Sequence, residues 1–302
     1  MSNIYKQVMK LKLGICFAGG GIKGVAHIGA LKAFEEENIK FEYISGTSSG
    51  SIVAALYACG YNSDEIYEMF KDHISKIKYV EVKNIFKLIF DLLIKNKILI
   101  TGLNSGKIIE KLVNKECLKK DIINISQIKN NLLIPSVNLN SGEIYIFSSI
   151  KNRNTYSDEV IYKNNINIGK AVRASCSYPG VFSPVEYDEK LLIDGGIREN
   201  VPWKELKECG AEKVISVVFE DLLKNKKDIN FIDILFKGIN ILEHELANYE
   251  LEGADYLIKI RTKNIHLLDK NKMNYLYNLG YIEAKAKIKE IKNEITIREK
   301  DN

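Results

Sequence analysis

The chain has few of the residues that mark disulfide-rich, metal-binding or histidine-dependent proteins. It contains 5 cysteines, an odd number, widely spaced and without a Cys-x-x-Cys or Cys/His cluster. Neither a disulfide framework nor a zinc site is therefore indicated, and reduced cysteines predict a cytoplasmic protein. Only 4 histidines occur in 302 residues, which restricts the catalytic schemes open to the chain.

Long apolar segments are also missing. A membrane-spanning helix needs roughly 20 apolar residues, and the nearest candidate, 85–100, is interrupted by charged side chains. Near the amino terminus, lysines precede the apolar run 13–18, but this run is too short for a signal peptide and ends in glycines. We therefore expect neither a signal peptide nor a membrane span.

Charge of neither sign dominates. Lysine and arginine number 44 and aspartate and glutamate 39, for a net charge of +5 without a dense basic tract, so nucleic acid is not an expected partner. A composition of 46% hydrophobic and 27% charged residues is typical of globular proteins. Without repeats or low-complexity linkers, the sequence favours one α/β domain over residues 1–302.

The first sixty residues alternate between apolar runs and helical patterns. The run at 10–18 predicts a buried strand, and the apolar spacing of 23–37 predicts a helix. A second strand is predicted at 41–45 and a second helix at 49–59, with Gly60 as its C-cap. This order is typical of a parallel α/β sheet with right-handed connections.

Further elements follow along the chain. Residues 63–118 are predicted to be helical throughout, as an insertion into a core at about 10–260. The alternating runs 132–139 and 143–148 are joined by Asn-Ser-Gly and predict a hairpin. The remaining predictions are strands at 190–193, 213–219 and 256–260, a helix at 231–252, and a C-terminal helix from 273 to between 291 and 297.

A Gly-x-Ser-x-Gly motif, Gly46-Thr47-Ser48-Ser49-Gly50, lies between the second predicted strand and helix. We call it the serine turn. Small residues two positions either side of a serine allow a sharp strand-to-helix turn that exposes its hydroxyl at the helix N-terminus. The alternative is a Ser/Gly-rich loop in which Thr47 or Ser48 is only an N-cap.

A glycine-rich segment, GGGIKG at 19–24, lies between the first predicted strand and helix. In this glycine loop, successive N–H groups can point at an anion. Gly19, Gly21 and Gly24 also fit a dinucleotide-binding fingerprint, but the acid it requires is met only by Glu42, which begins its strand. Because this loop and the serine turn follow neighbouring strands, an oxyanion hole is favoured.

None of the four histidines has a convincing catalytic context. His244 and His266 follow Asp194 in the Ser–acid–His order of α/β-hydrolases, but both lie in polar segments, and that fold places several strands before its serine. His27 is better explained as a structural hydrogen-bonding residue. His73 ends a predicted helix, where a cation suits the helix dipole.

Asp194 is the better partner for Ser48. It ends an apolar strand and is followed by Gly195 and Gly196, which let the backbone turn tightly around the carboxyl group. Partial desolvation there raises the pKa of an aspartate toward the range of a general base. The alternative is a plain Asp-Gly turn.

Three motifs in this order, GGGIKG at 19–24, GTSSG at 46–50 and DGG at 194–196, resemble the patatin-like phospholipase family. The segments 173–185 and 196–202 are similar to the sequences on either side of that family's acid. The resemblance implies an α/β three-layer sandwich, with a mostly parallel central sheet and helices on both faces. Lys23 stands where the family usually has arginine, so a bidentate contact would be lost.

The resemblance also implies a site. The family uses a Ser–Asp dyad without histidine, which makes Ser48 the nucleophile and Asp194 the base. The implied oxyanion hole comprises Gly19, Gly20, Gly21, Ile22, Lys23 and Gly24, with its donors around Gly20 to Ile22. The implied nucleophile elbow comprises Gly46, Thr47, Ser49 and Gly50, and the acid turn Gly195 and Gly196. No metal and no cofactor is implied.

The implied function is a serine acyl hydrolase that cleaves carboxylic esters of lipids through a covalent acyl-enzyme. Phospholipid, lysophospholipid, neutral lipid and thioester substrates all fit these residues, and no oligomeric state is specified. The alternatives are a nucleotide-binding module that uses the glycine loop and a non-catalytic membrane or regulatory protein that keeps the fold.

Peripheral contact with an anionic membrane is a further hypothesis. Lys87, Asp91 and Lys95 form one narrow polar stripe on an otherwise apolar helix at 85–99. Such a helix either borders an acyl-chain site or touches a membrane surface. A mostly buried helix is the alternative.

Overall fold

A mixed β-sheet forms the centre of the molecule. The computed structural model describes residues 11–78, 80–81, 83–84, 87, 101–151, 159–220, 231–262, 265 and 270–301. In chain order, the strands of this part are β1 (Leu13–Phe17), β2 (Tyr43–Gly46), β3 (Asn131–Asn138), β4 (Ile144–Ser148), β5 (Val160–Lys163), β6 (Val185–Tyr187), β7 (Lys190–Asp194), β8 (Lys213–Glu220) and β9 (Tyr256–Arg261). The main path runs β5-β4-β3-β2-β1-β8-β9, and β7 pairs with β3 and β6.

Helices connect and cover the strands. The α-helices of the described part are α1 (Val25–Glu36), α2 (Ser49–Ala58), α3 (Ser63–His73), α4 (Lys107–Leu118), α5 (Ile168–Ser175), α6 (Trp203–Glu208), α7 (Phe231–Glu250) and α8 (Met273–Asp301). Among the described helices, none combines the length and the apolar character needed to cross a membrane.

Two apolar layers lie on opposite faces of the sheet. Ile15 and Phe17 of β1 belong to the larger layer, which α1, α2 and α5 complete. Cys16 of β1 points into the smaller layer, together with Trp203 and Leu206 of α6. The predicted sandwich of helices on both faces of a mostly parallel sheet is confirmed.

The centre of the sheet places two loops side by side. β1 pairs in parallel with β2 and with β8, and all five of its residues are buried, as is typical of a central parallel strand. The carboxyl ends of parallel strands meet at one edge of a sheet, where ligands usually bind. The glycine loop follows β1 at this edge, and the serine turn follows β2.

Most predicted elements are present within a few residues of their expected ends. The hairpin of β3 and β4 is confirmed, with Gly142 in the left-handed region (φ 79°). The sequence did not predict β5, β6, α5 or α6. The C-terminal helix continues beyond its predicted end, to Asp301. The single-domain assignment stays a prediction.

The prediction of continuous helix over 63–118 is wrong at 77–78 and 80–81, where the described chain is not helical, and at 101–106. There Asn104 forms a β-bridge with Phe182, and its Oδ1 accepts a hydrogen bond from Gly106 N at 2.8 Å. Gly106 has a positive φ of 69°, which a regular helix cannot accommodate. The helix expected at 85–99 lies, apart from Lys87, outside the described residues.

Candidate active site

Ser48 lies in a strained turn between β2 and α2. Its φ of 50° and ψ of −122° belong to a region that residues with a side chain rarely adopt. Glycines make the turn possible: a Cβ on Gly50 would lie 2.3 Å from the carbonyl oxygen of Phe17, and one on Gly46 would lie 2.4 Å from the carbonyl oxygen of Gly50. The chain thus reverses too closely for larger residues at these positions.

Hydrogen bonds from other segments hold this turn. The amide of Ser48 donates to Ser175 Oγ at 3.0 Å, and Thr47 Oγ1 donates to the carbonyl oxygen of Glu199 at 3.0 Å. Ser51 Oγ donates to the carbonyl oxygen of Ser48 at 2.6 Å. The unfavourable backbone conformation is therefore supported by the surrounding structure, as strained functional turns require.

The glycine loop packs directly against Ser48. A Cβ on Gly19 would lie 3.2 Å from Ser48 Cβ. The loop continues as a 3-10 turn over Gly21–Gly24, and Gly21 has a positive φ of 58°. Lys23 is buried. Because Gly19 packs against Ser48, the backbone of the loop lies next to any group that is bound to the Ser48 hydroxyl.

Backbone hydrogen bonds narrow the set of free donors in this loop. The amide of Gly19 donates to Asn200 Oδ1 at 2.8 Å, and that of Lys23 donates to the carbonyl oxygen of Gly20 at 3.2 Å. Within the described part of the chain, the amides of Gly20, Gly21 and Ile22 donate to no acceptor. These three N–H groups are available to an oxyanion.

Asp194 ends β7 and is almost completely buried, with 2% of its surface exposed. Its Oδ1 accepts a hydrogen bond from Gly196 N at 2.9 Å, whereas Oδ2 has no hydrogen-bond partner among the described residues. Burial raises the pKa of Asp194 to about 7, although the nearby Ser48 hydroxyl and the Gly196 amide lower it. The raised pKa expected from desolvation is confirmed.

Gly195 brings the acid turn against the sheet. A Cβ at this position would lie 2.5 Å from the carbonyl oxygen of Pro135 in β3. β7 pairs antiparallel with β3, so that Asp194 is opposite Ser136. This pairing carries Asp194 from a distant part of the sequence to the edge where Ser48 lies.

Among the described residues, no histidine forms a hydrogen bond with Ser48 or Asp194. His27 is buried, its Nε2 lies 2.8 Å from the carbonyl oxygen of Ala18, and burial lowers its pKa to about 4, as suits a neutral structural residue. His73 lies 3.5 Å from Glu116, and His244 lies exposed on α7. His266 lies outside the described residues.

One cavity of about 670 Å³ contains both Ser48 and Asp194. On the side of α2, α3 and α4 its wall is mainly apolar and includes Ile52, Leu56, Met69, Phe70, Ile109 and Val113, together with the neighbouring pair His73 and Glu116. On the side of β8, β9 and α7 its wall is mainly polar and includes Glu220, Lys237, Asn240, His244, Asn248 and Lys259. We call these walls the apolar arm and the polar arm.

One carboxyl group of this cavity, Glu243, interacts with Asp194 and was not predicted from the sequence. Glu243 of α7 accepts a hydrogen bond from Tyr178 Oη at 3.4 Å. Burial and the charge of Asp194 raise the pKa of Glu243 to about 8. No local motif marks Glu243, because only the tertiary fold brings α7 to the site. Within the described residues, no His, Cys, Asp and Glu side chains cluster as metal ligands.

A parallel α/β sheet that presents a serine turn, a glycine loop and a buried carboxyl group at one edge is typical of serine hydrolases. The sequence profile of the patatin-like phospholipase family matches residues 15–207. This is more than half of the chain, and the chain belongs to that family.

Relatives of known sequence cover different shares of the chain. It is 28% identical over 205 residues to Lysophospholipase NTE1 of Meyerozyma guilliermondii, a match of 68% of this chain and 12% of that protein. The chain thus spans about one eighth of the length of this relative. It is also 28% identical over 296 residues to the uncharacterized protein R571 of Acanthamoeba polyphaga mimivirus, a match of 91% of this chain and 93% of that protein.

Solved structures share the fold. Human GIVD cytosolic phospholipase A2 in complex with methyl gamma-linolenyl fluorophosphonate matches with a TM-score of 0.50 at 12% identity, over 99% of this chain and 60% of that chain. The ExoU–SpcU complex of Pseudomonas aeruginosa matches with a TM-score of 0.50 at 16% identity, over 93% of this chain and 51% of that chain. At such identities the likeness concerns the fold, and function depends on the site.

Proposed function

We propose that the protein is a serine hydrolase of lipid carboxylic esters in which Ser48 and Asp194 form a catalytic dyad. The observation that carries this proposal is the meeting of three features in one cavity. Ser48 occupies a strained turn, free amides of the glycine loop lie beside it, and a buried carboxyl group with a pKa of about 7 faces it. Together they supply a nucleophile, an oxyanion hole and a base.

The proposed reaction proceeds in two halves. Asp194 takes the proton of Ser48 Oγ as this oxygen attacks the ester carbonyl carbon, and the N–H groups of Gly20, Gly21 and Ile22 stabilise the oxyanion. The intermediate then collapses, the leaving alcohol receives the proton from Asp194, and an acyl-Ser48 ester remains. Water, deprotonated by Asp194, attacks this ester, and Asp194 returns the proton to Ser48 Oγ as the fatty acid leaves.

The two arms of the cavity support a lipid substrate. An acyl chain fits the apolar arm, where burial of each CH₂ group contributes roughly 0.8 kcal/mol. The polar arm, with Lys237 and Lys259, suits a polar or anionic alcohol portion. The NTE1 relative bears the name lysophospholipase, which agrees with a substrate that has one acyl chain and a polar head group.

The experiment that tests the proposal is reaction with a fluorophosphonate ester that carries an alkyl chain, followed by mass mapping of the modified peptide. We expect one label per molecule, on Ser48, and faster labelling by a probe with a long alkyl chain than by an ethyl analogue. A folded protein that neither labels nor hydrolyses carboxylic esters of any chain length would contradict the proposal. Binding of NAD or ATP in equilibrium dialysis would instead favour a nucleotide-binding module.

We also propose that α7 contacts a phospholipid surface when the enzyme acts. α7 exposes several large apolar side chains: Ile234, Leu235, Ile241, Leu242 and Tyr249. Leu242 and Tyr249 are 71% and 72% exposed. Exposed apolar side chains on a helix that also lines the proposed lipid-binding cavity fit insertion into a membrane interface.

Vesicle sedimentation tests this contact. We expect the double variant Leu242→Ser/Tyr249→Ser to bind phosphatidylcholine–phosphatidylglycerol vesicles about tenfold more weakly, because two apolar side chains no longer insert. Hydrolysis of a water-soluble short-chain ester should not change. Ile282→Ser is the matched control, since Ile282 is 61% exposed on α8. Unchanged vesicle binding of the double variant would contradict the contact.

A further inference from the structure

Asn200 lies between the two halves of the site. Its Oδ1 accepts a hydrogen bond from Gly19 N at 2.8 Å, so its amide side chain holds the first residue of the glycine loop. A Cβ on Gly196 would lie 3.3 Å from the same oxygen. The side chain therefore binds the glycine loop and lies close to the acid turn.

Glu250, the last residue of α7, holds the backbone of Asn200. Its Oε1 accepts a hydrogen bond from the amide of Asn200 at 3.0 Å, and its Oε2 accepts one from the amide of Val201 at 2.8 Å. Trp203 Nε1 donates to the carbonyl oxygen of Glu250 at 2.6 Å. Both carboxylate oxygens and the main chain of Glu250 thus bind one short segment.

Glu250 lies near two other carboxyl groups, those of Glu199 and Glu205. Burial, together with the negative charge of Glu205, raises the pKa of Glu250 to about 7, while its two amide donors and Lys204 lower it. The pKa of Glu199 is also raised, mainly by burial. A buried carboxyl group among other carboxyl groups costs stability unless it is hydrogen-bonded. The hydrogen bonds from the amides of Asn200 and Val201 offset this cost for Glu250.

We infer that Glu250 and Asn200 are positioning residues, which act in series to hold the N–H groups of the glycine loop toward the oxyanion. Glu250 binds the main chain of Asn200, and Asn200 binds Gly19, the residue that precedes the free amides of Gly20 and Gly21. This inference rests on the proposed function. Displacement of catalytic donors by about 1 Å can reduce a rate about 100-fold.

Hydrogen exchange of the Gly19 amide tests the positioning role of Asn200 and Glu250 independently of activity. We expect this amide to exchange at least about tenfold faster in Asn200→Ala, which removes its acceptor, and also faster in Glu250→Gln, which keeps only one acceptor oxygen. Glu252→Gln is the matched control, because Glu252 is exposed just beyond the same helix. Exchange at the wild-type rate in both test variants would overturn the inference, whether or not the protein hydrolyses esters.

Kinetics on a water-soluble ester supply the second readout. Per active site counted by fluorophosphonate titration, we expect Asn200→Ala to lower kcat about 10- to 100-fold with KM within about twofold, since the loss falls on the transition state. Asn200→Asp keeps the acceptor oxygen and should recover most of kcat. Its added negative charge should raise the pKa of Asp194, so the acid limb of the pH–rate profile should move to higher pH. Equal kcat per active site in wild type and Asn200→Ala would also overturn the inference.

Discussion

Replacement of Ser48 by alanine is expected to lower kcat for ester hydrolysis by about 10⁴-fold or more, because it removes the hydroxyl that we propose as the nucleophile. Fluorophosphonate labelling should disappear in the same variant. The cavity should still bind substrate, because its apolar arm is unchanged. The measurement is steady-state hydrolysis of a short-chain ester, with stoichiometric labelling as a second readout.

A second replacement at this position separates catalysis from folding. The φ of 50° at Ser48 suits glycine better than a residue with a side chain. Ser48→Gly should therefore be as inactive as Ser48→Ala, but its free energy of unfolding should exceed that of Ser48→Ala by about 1 kcal/mol. Ser141→Ala, in the exposed turn of the β3–β4 hairpin, is the control. Ser48→Ala with more than a few per cent of wild-type kcat would exclude Ser48 as the nucleophile.

The parts of the site that the sequence predicted are those encoded locally. The glycine loop and the serine turn each join a strand to the next helix, so the periodicity on either side of the glycines predicts their place. Asp194 could be recognised because an apolar strand ends in an acid followed by two glycines. Desolvation of such an aspartate follows from its position, and the raised pKa agrees.

The parts that the sequence did not predict depend on contacts between distant segments. Glu243 and Glu250 lie on α7, whose pattern predicts a helix but not which neighbour it meets. Within Phe231–Glu250 large apolar side chains such as Leu242 and Tyr249 are exposed while polar ones such as Asn240 and Glu243 line the cavity, so the helix lacks the usual pattern of an apolar buried face. The break at 101–106 depends on the bridge between Asn104 and Phe182, which no local pattern signals.

Tertiary contacts also explain why α7 matters for two separate aspects of the site. Near its middle, Glu243 faces the cavity beside Tyr178. At its end, Glu250 holds the segment that reaches the glycine loop. A helix that lines the substrate cavity and also holds the proposed oxyanion hole couples the two mechanically, since any displacement of α7 changes both.

Replacement of Asp194 by asparagine is expected to have opposite effects on activity and on stability. Activity should fall about 10³-fold or more, because the proposed dyad would lose its base. The free energy of unfolding at pH 8, in contrast, should rise by about 1–3 kcal/mol. Burial raises the pKa of Asp194 from its ordinary 3.8 to about 7, so the wild-type protein buries a charge there that the variant does not carry.

The pH dependence follows from the same shift. Between pH 3.8 and about 7 the unfolded chain loses this proton more readily than the folded one, so the contribution of Asp194 to stability falls as pH rises through this window and is constant above it. A shift of one pKa unit corresponds to about 1.4 kcal/mol, and an asparagine NH₂ group that lacks a partner offsets part of the gain. Urea denaturation at pH 5 and pH 8 measures the difference. An Asp194→Asn variant less stable than wild type at pH 8 would contradict a destabilising buried charge, and wild-type kcat/KM that does not fall below pH 7 would contradict its role as the base.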